Sequence, residues 1–304
     1  MSWSVTAVIP ACNSGKTIEC TLRSVLGQSV RPRAVIVVDD ASTDDTRERV
    51  MAFGDRVTLL TRDRNSGSAD IPRYQGVEAA PTEWVALVDA DDLWETNKLE
   101  QMGLAIEAQP DIPLWHHSVR VIDADGRGER IRHAGAIPGT GQIGPALLER
   151  CFICTSAVVV RREAWLNARS LGDLGGYGTG WDFFLAIARN HPVGFVNQVL
   201  GSYRYTTTSI SRKNWRRYSR DVVGMMRIDR NRLWEGIVSR ADMTRILKEA
   251  FCEDADLHRD AGQPLHSLWF CAGGLIHRPL DAGLWMRTAK ALGRMFVPYR
   301  PTAS

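Results

Sequence analysis

The sequence of 304 residues lacks most features that would mark a membrane, secreted or metal-scaffold protein. No window approaches 18 consecutive apolar residues, so no transmembrane helix is expected. The N-terminus has no charged segment leading into a long apolar core, so no signal peptide is expected. Cysteine is scarce, six in the whole chain. The single C-x-x-C, Cys151-Phe152-Ile153-Cys154, has no second pair, and a structural zinc would need more ligands. Reduced thiols in a cytoplasmic protein are the expectation. His116-His117 fall in an expected strand and point to opposite faces, so they cannot both hold one metal. There is no internal repeat and no low-complexity tract. No nucleic-acid partner is expected.

What is present suits a globular chain with a full core. Hydrophobic residues make up 44% and charged residues 24%, and the length allows one large domain or two smaller ones. The net charge of +3 conceals an uneven distribution. Residues 1–202 carry 20 Lys and Arg against 25 Asp and Glu, a net of −5, whereas residues 203–304 carry 18 against 10, a net of +8. A basic last third on an acidic body suits an anionic partner such as a membrane surface, a phosphorylated substrate or an acidic subunit, or simply a solvated surface.

The first hundred residues alternate strand and helix. Val5-Thr6-Ala7-Val8-Ile9, closed by Pro10, is a β-rich run. Ile18, Leu22, Val25 and Leu26 repeat at helical spacing. Ala34 to Val38 is a continuous apolar run, as in a strand buried on both faces, and it ends in Asp39-Asp40. Ser42 with Asp45 three residues on resembles a capping box for a helix running to about Phe53. A strand over Val57 to Leu60, a turn at Asn65-Ser66-Gly67-Ser68 and a helix from about Ile71 to Ala80 follow. Trp84 to Val88 is the fourth apolar run, and three carboxylates, Asp89, Asp91 and Asp92, follow within four positions. A helix from Asn97 to Ala108 closes the series.

A buried strand cannot carry three unpaired anions. The acids are therefore expected just beyond the strand end, either as a solvated, capping loop or as oxygen ligands for a hard divalent cation. An open parallel α/β sheet binds its ligand beyond the carboxyl ends of its strands. That topology gathers Pro10 to Asn13, Asp39-Asp40 and Asp89 to Asp92 at one mouth, which favours the cation.

Further on, Leu114 to Asp123 reads as a strand closed by a turn at Asp125-Gly126. Ala134 to Gly144 is a Gly-rich loop, Ala157 to Val160 a strand, and Val193 to Tyr205 one or two strands. Gly172 to Gly180 precedes Trp181-Asp182, which opens an apolar helix through Ile187. Ser209 and Ser211, before Arg212-Lys213, could form a flap over a diphosphate or an ordinary loop. From about Trp215 the chain reads as helical. Near its end Trp285, Ala289, Leu292 and Phe296 form one stripe, and Arg287, Lys290 and Arg294 another. Such a helix either lies in a membrane interface or docks on the protein's own core.

Several of these segments, in order and spacing, resemble family 2 glycosyltransferases: Ala7-Val8-Ile9-Pro10-Ala11-Cys12-Asn13, Leu22 to Ser29, Val37-Val38-Asp39-Asp40-Ala41-Ser42-Thr43-Asp44-Asp45-Thr46, Asn65-Ser66-Gly67, Pro72-Arg73-Tyr74-Gln75-Gly76 and Val88-Asp89-Ala90-Asp91-Asp92. The resemblance is strong over roughly residues 3–105. It extends more weakly through Cys154-Thr155-Ser156-Ala157 to Asp182 and ends near Tyr203-Arg204. It implies a GT-A fold, a Rossmann-like and mostly parallel α/β sheet flanked by helices, and inverting transfer of a sugar from a nucleoside-diphosphate donor. It further implies that Pro10, Ala11 and Cys12 line the base and ribose pocket and that Asp40, with Asp39 beside it, hydrogen-bonds the base. Asp89, next to Ala90, would meet the ribose, Asp91 with Asp89 would hold Mn²⁺ or Mg²⁺ on the diphosphate, and Arg73 would approach the diphosphate or sugar. Asp182 stands where the family keeps its catalytic base, with Asp173 as the fallback. Cys12 replaces a frequent aromatic, Tyr74 a frequent Asn, and Trp181 the acid that commonly precedes the base. Trp181 is also a candidate to stack on a sugar.

The expected organisation is a catalytic domain over residues 1–210, with a nucleotide-sugar half (1–110) and an acceptor half (111–210), and a helical extension over 211–304. The expected acceptor is a hydroxyl of a glycan or lipid-linked substrate. The expected location is cytoplasmic, with peripheral contact at the inner face of the plasma membrane. Two alternatives differ in chemistry: a nucleotidyltransferase on a similar sheet, which would release pyrophosphate, and a non-catalytic nucleotide-sugar binding module.

Overall fold

In a computed structural model the chain divides into two compact units, Met1–Thr206 and Thr207–Ser304. The structure describes residues 3–128, 130–132, 140–149, 151–168, 180–205, 226, 229–230, 232, 234–260 and 262–295.

The first unit is built on β1 (Val5–Ala11), β2 (Ala34–Asp39), β3 (Thr58–Thr61) and β4 (Trp84–Leu87), which run parallel in the order β3-β2-β1-β4. β1 and β4 are buried along their whole length and β2 along nearly all of it, so the continuous apolar runs are satisfied by helices on both faces. α1 (Ile18–Leu26), α2 (Thr46–Met51), α3 (Asp70–Ala79) and α4 (Lys98–Ala108) supply the crossovers. α3 lies close on the sheet because Gly76 has no Cβ; one placed there would come within 2.5 Å of Val8 Cγ1 and 3.2 Å of Val38 Cγ2. The alternation read from the sequence is thus realised, with boundaries shifted by one or two residues.

Beyond β4 the sheet changes character. β8 (Val159–Arg161) pairs antiparallel with β4, and β6 (Leu114–Ile122) pairs antiparallel with β8. β9 (Val193–Arg204) pairs parallel with β6, and β7 (Arg130–Arg132) completes a hairpin with β6 through Gly126, whose φ of 82° suits the turn. The short β5 (Leu93–Trp94) follows the acid turn and pairs antiparallel with β9. Helices α5 (Gly144–Glu149), α6 (Arg162–Ala168) and α7 (Trp181–Ala188) flank this half. α5 and α6 were not legible in the sequence. Val193 to Tyr205 forms one strand rather than two. Most of the Gly-rich stretches expected at 134–144 and 172–180, with Asp173, and the flap expected at 209–213 lie outside the described residues.

The capping box expected at Ser42 and Asp45 does not form. α2 starts at Thr46, and Asp45 makes no side-chain cap. Ser42 Oγ instead accepts from the backbone N–H of Asn13 at 2.9 Å, and Asn13 Oδ1 accepts from the N–H of Thr43 at 2.8 Å. Ser42 therefore stitches the β1 and β2 loops together rather than starting a helix.

The second unit contains α8 (Arg240–Asp260), α9 (Pro264–His277) and α10 (Ala282–Arg294), with a core centred on Phe251, Ala255, Phe270 and Cys271. Among the described residues no helix is long and apolar enough to cross a membrane.

Candidate active site

The parallel strands β1, β2 and β4 all end at one edge, and their loops carry the candidate residues. At the end of β2 both acids are held by the protein's own donors. Asp39 accepts from Arg47 Nε at 2.6 Å and from the N–H of Ser42. Asp40 accepts from Arg62 Nε at 2.8 Å, from the N–H of Ser66 and from Ser66 Oγ at 2.7 Å. Both carboxylates are buried. They fix the shape of the 41–46 and 62–68 loops, with Asp40 accepting from three donors of the second loop. Ala41, at φ 58°, bends the chain between them. Pro10 and Ala11 are buried within β1, and Cys12, exposed at its end, presents its thiol beside Asn65 Nδ2 at 3.0 Å. Burial, and then Asp40 and Asp39, push that thiol's pKa up, so it is a neutral wall rather than a nucleophile.

The turn after β4 holds three acids in three different environments. Asp92 is fully buried. Its oxygens accept from Ser156 Oγ and from the N–H of Arg204, the latter at 2.7 Å, while Ser156 Oγ also accepts from the N–H of Asp89 at 2.9 Å. Arg204 Nε donates to Asp91 O at 3.0 Å, and Lys98 Nζ donates to Ser156 O at 2.7 Å while lying 3.9 Å from the Trp94 ring centroid. Asp92 therefore knots the turn to β9 and to the segment before β8, and its pKa is pushed well above the ordinary value by burial and by Asp91 and Asp89. This knot could not be read from the sequence, because Asp92 and Ser156 stand 64 positions apart.

Asp89 and Asp91 remain partly exposed, with Ala90 buried between them. Asp89 Oδ1 accepts from Arg73 Nη2 at 2.8 Å. Asp91 has its pKa raised to about 6, first by burial and then by the charge of Asp89, with only weak relief from Arg204. Two half-open carboxylates, of which Asp89 is held by Arg73 and Asp91 has no ion-pair partner among the described residues, fit a hard divalent cation, whose charge would reverse that shift. Among the described residues no three His, Cys, Asp or Glu side chains gather to cage a metal. The protein would thus supply one or two oxygens and leave the others to phosphate and water, the usual arrangement for Mg²⁺.

Arg73 is buried against these acids. It is 1% exposed. Nη1 donates to Asp70, Nη2 to Asp89, and Nε has no partner among the described residues. Burial would lower its pKa, but Asp89 and Asp70 outweigh that and raise it. Arg73 thus aims Asp89 and ties it to Asp70. Asp70, three residues earlier on α3, is a partner that the i, i+3 spacing made available.

Asp182 opens α7 behind Gly180, which takes φ 73°. Burial, and then the negative charge of Asp70, raise its pKa to about 6. Through Asp70 and Arg73 it belongs to the same charge cluster as Asp89. Trp181, beside it, donates from Nε1 to Leu147 O at 2.9 Å, which fixes its ring against α5. His116 and His117 are both buried, and burial pushes their pKa values down, so neither joins the site as a charged group.

Known proteins resemble this chain in sequence and in fold. The family model described as Glycosyl transferase family 2 matches residues 6–166. The Escherichia coli protein UDP-Glc:alpha-D-GlcNAc-diphosphoundecaprenol beta-1,3-glucosyltransferase WfgD is 28% identical over 225 residues, covering 72% of this chain and 85% of its own. Among solved structures, TarS residues 1–349 of S. aureus in complex with UDP-GlcNAc superposes with a TM-score of 0.68 at 17% identity, covering 96% of this chain and 89% of that one. The mannosyltransferase PcManGT of Pyrobaculum calidifontis, in complex with GDP-Man and Mn²⁺, has a TM-score of 0.52 at 18% identity and covers 98% and 82%. The fold is GT-A, with a helical C-terminal region.

Proposed function

This chain belongs to glycosyl transferase family 2 and is a glycosyltransferase, and from that premise we propose that it moves a sugar, with inversion, from a nucleoside-diphosphate sugar to a hydroxyl of a lipid-linked or polymeric glycan. The single observation that carries this reading is the pairing of two half-open carboxylates at the end of β4 with a third, Asp182, whose pKa is raised to about 6. Inversion requires opposite duties on opposite sides of the anomeric carbon.

On the donor side, Asp91 and Asp89 would hold Mn²⁺ or Mg²⁺, and that ion, when bound, neutralises charge on the departing diphosphate. Arg73 holds Asp89 in place for this. Pro10, Ala11 and Cys12 form the wall of the nucleoside pocket, and Asp39 and Asp40 shape its two flanking loops. On the acceptor side, Asp182 takes the proton from the attacking hydroxyl. A carboxylate of pKa near 6 is a stronger base than an ordinary Asp and is still ionised at neutral pH, and such a base contributes about 10²–10⁴-fold. Asp91 and Asp89 cannot do this work while bound to a cation. Residues 1–110 would thus form the donor half, 111–210 the acceptor half and 211–304 a helical extension. The acceptor class follows WfgD, whose name gives a diphosphoundecaprenol-linked sugar, and it implies peripheral contact with the cytoplasmic face of a membrane. The donor nucleotides named for TarS and PcManGT make UDP- and GDP-sugars the first to test.

The test is a panel of nucleotide sugars, each with and without Mn²⁺, read first by thermal shift and then by product. A ligand at 100 times its Kd adds about 2.7 kcal/mol of stability, and the correct donor should do so only with the metal. Turnover should release a nucleoside diphosphate. Release of pyrophosphate would make the protein a nucleotidyltransferase, and stabilisation without turnover on any lipid-linked acceptor would make it a binding module.

A further inference from the structure

The helical unit closes on itself by small residues and ion pairs and leaves one corner bare. α9 and α10 approach closely at Gly274, where a Cβ would lie 2.8 Å from Leu284 Cδ2. α10 buries Leu284 and Ala291 completely, and Arg287 Nε donates to Asp256 at 2.8 Å. The inward stripe is therefore 284, 287, 288 and 291. Of the apolar stripe read from the sequence, Trp285, Ala289 and Leu292 face solvent, and Phe296 lies outside the described residues. Helix α10 thus docks on its own unit and still presents an apolar face.

That face is strongest where α9 turns into α10. Ile276 is 81% exposed, Leu280 94%, Trp285 55% and Met286 57%. Trp285 is held in place, since its Nε1 donates to Pro279 O at 2.8 Å. Four large, largely exposed apolar side chains fall within eleven positions, whereas ordinary soluble surfaces scatter such residues singly. The charges around it are one-sided. Residues 276–294 contain four Arg and Lys against one acid, Asp281. Asp281 is paired with Lys248 at 3.0 Å, and Asp256, which faces α10 from α8, takes Arg287 and Arg259. The local acids are thereby neutralised, while Arg278 and Lys290 are exposed and form no ion pair among the described residues.

We propose that the α9–α10 corner is a docking surface for an anionic lipid bilayer: Ile276, Leu280, Trp285 and Met286 enter the boundary between headgroups and acyl chains, and Arg278 and Lys290 meet lipid phosphates. This gives a location to the membrane contact in the function proposed above, and it rests on that reading. The shape and the charge both select lipid over protein. A side chain as exposed as Leu280 projects from the surface, and a protein partner would need a matching hollow, whereas fluid acyl chains accept a wedge of any shape. A second copy would bring the same unpaired cations together across a two-fold axis, where they would repel. An anionic leaflet attracts them.

The experiment is co-sedimentation of the full chain with vesicles of phosphatidylcholine and phosphatidylglycerol at 70:30, and with phosphatidylcholine alone. Wild type should pellet with the anionic vesicles and much less with the neutral ones. Ile276→Ser with Leu280→Ser should lower the bound fraction at least tenfold, and Arg278→Gln with Lys290→Gln should abolish the preference for anionic lipid. Because these side chains are exposed, Tm should not move, and Met51→Ser, which removes an exposed apolar side chain from the first unit, should bind like wild type. Equal pelleting by the Ile276/Leu280 variant would overturn the corner while leaving membrane contact intact. Absence of wild-type pelleting would overturn both. A concentration-dependent dimer dispersed by the same two substitutions would assign the corner to a second copy instead. Donor hydrolysis in the same preparations reports separately on the catalytic assignment.

Discussion

Asp182 and Asp91 show the same electrostatic device turned to opposite ends. Each is pushed to about pH 6 by burial and a neighbouring acid. For a base, the deprotonated form is active, so kcat should rise as pH passes upward through about 6 and level off above about 7. Asp182→Asn should leave donor binding nearly unchanged and cut kcat by about 10²–10⁴-fold; unchanged turnover would move the base elsewhere. At Asp91 a proton and a metal compete, so apparent Mn²⁺ affinity should fall as pH drops below about 6, measured by calorimetry across pH 5–8. Arg73 is a different case, because its partners are stranded if it is removed. Arg73→Met should cost about 3–5 kcal/mol, the usual result of breaking a buried ion pair, read by urea denaturation. Asp89 and Asp91 stood out in the sequence because unpaired acids cannot remain inside a buried strand, whereas Asp182 entered only through its place in the family resemblance. Asp70 and Ser156 gave no such signal. A Ser or Asp on a helix or loop has many ordinary uses, and only the fold shows that Ser156 joins Asp89 to Asp92.

The parallel half was readable element by element because strands covered on both faces must be apolar throughout, and each crossover helix carries its own periodicity. Ser42 misled because the same hydroxyl that caps a helix can equally accept a backbone N–H from a neighbouring loop, and sequence spacing does not say which donor arrives. The β9 strand was read as one or two strands, but the reversal at β8 was not legible, since pairing direction depends on where the chain returns. Gly76 is the sharpest test of the packing. Gly76→Ala sets a methyl against Val8 and Val38 in the middle of the sheet, and overpacking of that kind costs about 1–3 kcal/mol. A lowered Tm with an unchanged pH profile would place the defect in the α3–sheet contact rather than in the site.

Across the whole molecule the uneven charge read from the sequence has a structural counterpart. The acidic first 202 residues hold the strand-end carboxylates, and the basic remainder includes a corner with unpaired cations. If high affinity for lipid depends on those cations, raising NaCl from 0.1 to 0.5 M should weaken binding to phosphatidylglycerol vesicles and leave donor hydrolysis little changed, because exposed charges are screened and buried ones are not.

The knot at Asp92 bears on how the enzyme comes into being. Its carboxylate waits for a backbone N–H that lies 112 positions further along the chain, and β5 beside it pairs with β9. A ribosome will have finished the entire donor-binding half long before that partner emerges. Contacts of such separation form late. Nascent chains should therefore be unable to capture nucleotide sugar until residue 204 has left the exit tunnel, so that the capacity to bind donor arrives in one step, well after the donor-binding half has been made.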